Sequence, residues 1–190
     1  MSVPDSPLEL RMQPGKPARQ CGSCGLCCKL VPVASIEKPA GVKCRHQRHG
    51  KGCMIYAQRP PDCVWWNCRW LVNDATEQLP RPDRSHLVID IMPDFISAVY
   101  EDGNRIDAPV IQVWCDPAFR EAWREPAMMA YIERMADERR HVTIIRFNSE
   151  EAIVVLAPSM CDDHEWHFVT PQLRDKREAM QYRLAAERLA

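Results

Sequence analysis

Apolar and polar positions follow two different rhythms along this chain. From Ser85 onward the pattern is that of regular secondary structure. Residues 86–92 and 95–101 are apolar, β-branched runs on either side of Pro93-Asp94, which predicts two strands joined as a hairpin. Asp102-Gly103-Asn104 carries turn chemistry, and residues 110–114 predict a third strand. Asp116-Pro117 supplies an N-cap followed by a first-turn proline, so a short helix is expected over 117–124. Pro126 interrupts it and opens a longer helix over 126–139. Met129, Ile132 and Met135-Ala136 recur there at three- and four-residue intervals and predict its buried stripe. Residues 141–147 and 152–157 predict a last hairpin across Asn148-Ser149-Glu150-Glu151, and Thr170-Pro171 opens a final helix.

The order β-β-β-α-β-β predicts an α+β fold, an antiparallel sheet with helices on one face. Residues 19–72 lack such periodicity and read as a small irregular cysteine-rich module packed on that sheet, at one end of it. The expected organisation is a flexible segment over 1–18, the cysteine module over 19–72, the α+β domain over 73–169 and a C-terminal helix over 170–190. Internal repeats, phosphate-binding glycine loops and nucleotide fingerprints are absent from the sequence.

Composition narrows the class. The chain has 190 residues, 46% hydrophobic and 27% charged, which suits a globular protein rather than a disordered one. No apolar run approaches the roughly 20 residues that span a bilayer. Residues 1–20 carry Pro4, Pro7, Pro14 and Pro17 among polar residues and lack the apolar stretch of a secretory signal. The expected location is the cytoplasm, with no membrane partner.

Cysteine changes the picture most. Eight of the 10 cysteines are Cys21, Cys24, Cys27, Cys28, Cys44, Cys53, Cys63 and Cys68. Thiols in a reducing compartment stay reduced, and two-residue gaps let successive thiolates converge on one ion. Loops this short cannot form several mutual disulfides. The spacing therefore predicts a metal module with all eight as ligands. Gly25, directly after Cys24, and Gly52, before Cys53, supply the backbone freedom, often a positive φ, that a metal-binding turn requires.

The spacing leaves the metal open. Eight thiolates divide into two four-thiolate zinc sites, which is the leading expectation; such closed sites are structural or sequestering, because catalysis needs an open coordination position. Cys21, Cys24 and Cys27 with a distant fourth ligand equally suit iron in a [4Fe–4S] cluster, for electron transfer or redox chemistry, although Cys28 comes too soon to complete a ferredoxin run. Cys27 and Cys28 are adjacent, so neighbouring ions, a bridging thiolate or one bystander are all compatible with them. His46 and His49 lie between Cys44 and Cys53 and are read as loop histidines, each able to replace a thiolate. Asp62, beside Cys63, is read as an exposed turn carboxylate.

Charge is divided unevenly. Between Lys16 and Trp70 there are ten Lys and Arg residues against Glu37 and Asp62, a balance of +8, while residues 71–190 carry a balance of −8. Basic groups around an anionic metal–thiolate site stabilise the thiolate form. A basic zinc module that binds nucleic acid or a protein partner is the competing reading, with nucleic acid disfavoured because no recognition helix or finger spacing accompanies the charge.

At these positions the sequence resembles the CxxCxxCC family of zinc- or iron-chelating proteins, a widespread bacterial cysteine-cluster group. The resemblance rests on Cys21-x2-Cys24-Gly25-x-Cys27-Cys28, Cys44, and Gly52-Cys53-x-Ile55-Tyr56-x2-Arg59-Pro60-x2-Cys63-x4-Cys68. It covers residues 19–70 and continues weakly through Arg81-Pro82-Asp83-Arg84. It implies metal chelation without fixing a metal or a reaction. Read physically, Tyr56 is expected to pack over the metal loops with its hydroxyl anchored, and Arg59 to donate to thiolates or carbonyls. Trp65, Trp66 and Trp70 are expected to cover the loops of a module with little aliphatic core.

The second half offers weaker chemistry. Cys115 lies in an apolar strand and reads as core, as does Met128-Met129 in the long helix. Cys115-Asp116 and Cys161-Asp162-Asp163-His164 offer nucleophile and base types, and Asp162, Asp163, His164, Glu165 and His167 the ligand types of a hard or borderline metal, but the preferred reading of the second stretch is a polar loop. The α+β half is expected to carry the surface for a protein partner.

Overall fold

The computed structural model describes residues 19–99 and 105–170. The N-terminal segment, the Asp102-Gly103-Asn104 turn and the helix expected from Pro171 onward lie outside the described residues.

An α+β architecture is present, with two sheets. The cysteine-rich half consists of short pieces: helix α1 (Leu26–Leu30), a two-stranded ladder of β1 (Gln47–Arg48) and β2 (Gly52–Cys53), and helices α2 (Pro61–Trp65) and α3 (Arg69–Val72). A single turn of helix, α4 (Pro82–Ser85), leads into the larger sheet, and no feature of the sequence had pointed to it. That sheet holds β3 (Leu87–Val99), β4 (Arg105–Cys115), β5 (Val142–Arg146), β6 (Ala152–Leu156) and β7 (His167–Val169), adjacent in that order. Helix α5 (Pro126–Arg139) connects β4 to β5.

Four expectations need correction. The sheet is mixed, because β4 and β5 run parallel while the other neighbours are antiparallel. The crossover through α5 returns the chain in the same direction, as a helical connection allows and a hairpin does not. Residues 87–92 and 95–99 of the two expected strands belong to one long strand, whose register shifts between Ile91 and Phe95. Pro93 is tolerated there because β3 is an edge strand and the irregularity absorbs its missing N–H. The helix expected over 117–124 is two 3-10 turns, Pro117–Phe119 and Ala122–Arg124.

The sheet separates two apolar layers. Alternation places Leu87, Ile89, Ile111, Val113, Cys115, Ile145 and Val155 against Trp123 and the α5 residues Met128, Tyr131, Ile132 and Met135. The second layer joins Val88 and Trp114 to Leu26, Leu30 and Cys68 of the cysteine-rich half, flanked by Cys24, Cys27, Trp66 and Leu71. The cysteine module thus covers a sheet face, the one opposite α5, rather than sitting at one end. Among the described residues no helix is long and apolar enough to cross a membrane.

Candidate metal centre

Each cysteine reaches the centre through a short local device. Cys21 and Cys24 form a turn in which the Cys24 amide donates to the Cys21 carbonyl at 2.9 Å. Cys27 and Cys28 occupy consecutive positions of α1, so they leave the helix in different directions. The Cys44 amide donates to the Cys28 carbonyl at 2.8 Å, and the β1–β2 ladder places Cys53 opposite Gln47. Pro61 opens α2 at its first turn and carries Cys63; Cys68 caps α3 and is buried.

All eight cysteines line one cavity of about 590 Å³. Gly22, Val31, Lys38, His46, Tyr56 and Arg59 complete much of its wall. Every cysteine of the chain is free.

The thiols influence one another in two groups joined through Cys27 and Cys28. Cys27 is pushed well up, first by its hydrogen bond with Cys28 and by burial, then by Cys28, Cys68 and Cys24. Burial pushes Cys68 up to about 11, with Cys24 adding to it. Cys21 belongs with these through its turn with Cys24 and through Arg81, whose guanidinium feels both sulfurs. The other group is Cys28, Cys44, Cys53 and Cys63. Burial pushes Cys63 up first, followed by Cys28, Cys44 and Cys53; burial likewise raises Cys53, followed by Cys28 and Cys44. Cys28 moves the other way, lowered mainly by its hydrogen bond with Cys27 and assisted by Lys38. The seam between the groups therefore runs between two consecutive residues.

Lys38 stands at that seam. It is buried, and its Nζ donates to the Val31 carbonyl at 2.6 Å and the Pro39 carbonyl at 3.1 Å. Burial lowers its pKa, while Cys44, Cys28, Cys27 and Cys63 favour its charged form. In the sequence it was one of ten basic residues, with nothing to single it out. Arg81 is a second such residue: its Nη2 donates to Ser23 Oγ at 3.1 Å, and Asp83 holds it at 2.6 and 2.7 Å. The Arg81-Pro82-Asp83-Arg84 segment was the signal for that one.

The expected aromatic and basic neighbours divide. The Tyr56 hydroxyl donates to Cys21 Sγ at 3.9 Å, and the Arg59 guanidinium lies over the Tyr56 ring, 4.1 Å from its centre. Trp66 lines the cavity, Trp70 instead donates its indole N–H to the Leu79 carbonyl, and Trp65 is 85% exposed and covers nothing. Asp62 is exposed and accepts from the Ser35 amide at 2.8 Å, as a turn carboxylate does. His46 lines the cavity and its Nε2 accepts from Arg45 Nε at 3.2 Å; His49 is exposed and outside the lining.

The glycine reading also divides. Gly52 has φ +75°, and a Cβ there would stand 2.4 Å from the Gly22 carbonyl oxygen, so this position requires both the conformation and the space. Gly25 has φ −133° and is needed for space alone, since a Cβ would meet the Gln47 side chain at 2.6 Å. The positive φ of the first cysteine turn is at Gly22.

Outside this cavity, Cys115 is buried in the core, where burial pushes its thiol up to about 11. Cys161, Asp163 and His167 bring three ligand atoms within 4.8 Å of one another, the only such grouping of His, Cys, Asp or Glu among the described residues. No family model, curated protein or solved structure matches the chain.

Proposed function

We propose that this protein binds metal through two four-sulfur sets, Cys21, Cys24, Cys27 and Cys68 in one and Cys28, Cys44, Cys53 and Cys63 in the other. One observation carries the reading: eight free cysteines from six separate pieces of chain line one cavity. Buried thiols scattered for packing alone would not share a lining. The donor chemistry fits a soft or borderline ion, and zinc held by four thiolates in each set is the first assignment. A bound ion supplies positive charge that keeps the thiolates deprotonated. Each four-thiolate zinc set carries a net charge of about −2, and Lys38, Arg59 and Arg81 stand where that charge is compensated. Neither set reserves a position for substrate, so the sites are structural or sequestering, and the sheet half carries the surface for a partner.

One observation favours a second assignment. Zinc–thiolate bonds of about 2.3 Å place tetrahedral sulfurs about 3.8 Å apart. Among the described residues no three of the eight sulfurs lie within 4.8 Å of one another. An iron–sulfur cluster, whose ligands bind separate irons, accepts wider spacing.

Anaerobic purification followed by elemental analysis and an absorption spectrum separates the two. Colourless protein with about two zinc ions per chain supports two closed thiolate sites. Iron with inorganic sulfide, and a visible band that bleaches on reduction, supports the cluster. Fewer than one metal per chain overturns both.

A further inference from the structure

The loop between the 3-10 turn Pro158–Met160 and strand β7 holds ligand types that the cysteine cavity does not use. Cys161 ends that turn, and His167 begins β7, where it pairs with Leu156 of β6. The Cys161 amide donates to the Pro158 carbonyl at 3.2 Å and the His164 amide to the Cys161 carbonyl at 3.1 Å, while the β6–β7 pairing holds the far end of the loop. His164 takes a left-handed φ of +55°, uncommon for a residue with a side chain, and this folds the loop back on itself. Trp166 packs against the main core and stacks with Phe168, which fixes the strand that presents His167. Asp163 Oδ1 accepts from the Glu165 amide at 3.1 Å, which orients the carboxylate. His167 Nε2 lies 2.8 Å from Asp163 Oδ2, and the Cys161 sulfur completes a trio within 4.8 Å.

We propose that Cys161, Asp163 and His167 form a separate three-ligand site for one divalent ion of borderline softness, with zinc as the reference ion. A sulfur, an imidazole nitrogen and a carboxylate oxygen suit zinc or its transition-metal neighbours, whereas magnesium and calcium take oxygen shells. Three protein ligands leave the fourth tetrahedral position for water or an incoming ligand, unlike a four-thiolate site. The side chains of His167 and Asp163 are about half exposed, 45% and 54%, so an ion reaches them from solvent. This site stands independently of the cysteine cavity and holds whether that cavity takes zinc or an iron–sulfur cluster.

The plain alternative is an exposed His–Asp ion pair beside an unrelated thiol. Such a pair contributes little to stability, so His167→Ala and Asp163→Asn leave the fold intact, which near-ultraviolet circular dichroism of the tryptophans checks. Full-length protein and each variant are dialysed anaerobically against buffered free zinc, and bound zinc is counted. The expected result is one equivalent fewer in either variant, and one fewer in Cys161→Ser. The same loss appears in a Cys24→Ser, Cys63→Ser background, which separates this site from the cavity. Equal zinc in the parent protein and in folded His167→Ala overturns the proposal.

Discussion

The ammonium of Lys29 lies 2.6 Å from the carboxylate of Asp116, the residue that follows β4. Lys29 immediately follows Cys28 on α1, so this ion pair ties the helix bearing two cysteines to the sheet. Asp116 is only 4% exposed and also accepts from the Ala118 amide at 3.1 Å. Lys29→Met leaves that carboxylate without its cation and is expected to cost about 2 kcal/mol of stability. Urea unfolding checks the loss; an unchanged midpoint would show that the pair does not couple the two layers.

Gly52 and Gly50 give a controlled comparison of backbone strain. Both have positive φ, +75° and +69°, but only Gly52 faces a carbonyl oxygen that an added Cβ would strike. Gly50→Ala is expected to cost about 1 kcal/mol for the conformation alone. Gly52→Ala must also displace the Cys21–Cys24 turn, so thermal unfolding should show at least twice the loss, with weaker metal retention. Equal effects would contradict the close approach of the two loops.

Much of the sheet half was legible because its signals are local. The helix over 126–139 has its sequence-derived bounds, set by Pro126 and by the apolar periodicity. Tyr131 and Met128 join its buried stripe, while Met129 only flanks it, an error of one helical position. Pro93-Asp94 misled because proline marks a turn and an edge-strand irregularity with the same two letters. The parallel β4–β5 pairing was hidden because strand direction depends on where a crossover helix lands. In the cysteine half, spacing picked out the eight cysteines that share one cavity. It could not show that Lys38 lies beside Cys27, Cys28, Cys44 and Cys63, since that follows from how loops far apart in sequence meet.

The division of the sulfurs makes a sharp prediction for single substitutions. Cys24→Ser and Cys27→Ser should each empty the set completed by Cys21 and Cys68, while Cys28→Ser and Cys63→Ser empty the other. In a Cys161→Ser background, which removes the separate loop site, elemental analysis should find about half of the parent metal in all four variants. In the same background, pairing Cys24→Ser with Cys27→Ser should remove no more than either alone, whereas pairing Cys27→Ser with Cys28→Ser should remove nearly all. Additive loss from the first pair would refute the division.

His141 predicts an acid-sensitive step unrelated to metal. It is buried at the start of β5, and burial lowers its pKa, with Arg139 and Arg69 acting in the same direction. The unfolded chain therefore takes up a proton, from about pH 6.5 downward, that the folded chain resists. Stability should fall as pH drops from that value towards the lower folded pKa, and level off below it. His141→Gln should flatten this part of the profile in denaturant titrations; an unaltered slope would assign the acid sensitivity elsewhere.

The central claim, metal held by the clustered cysteines, is tested most directly by native mass spectrometry of the anaerobically purified full-length chain. Two-set binding predicts a mass above the bare polypeptide, by bound zinc or by iron and sulfide, that is lost on acid denaturation, with the eight clustered thiols and buried Cys115 becoming open to alkylation. A chain that flies at its bare mass under the same conditions, or one whose added mass is unchanged by serine substitution of all eight clustered cysteines, would contradict it.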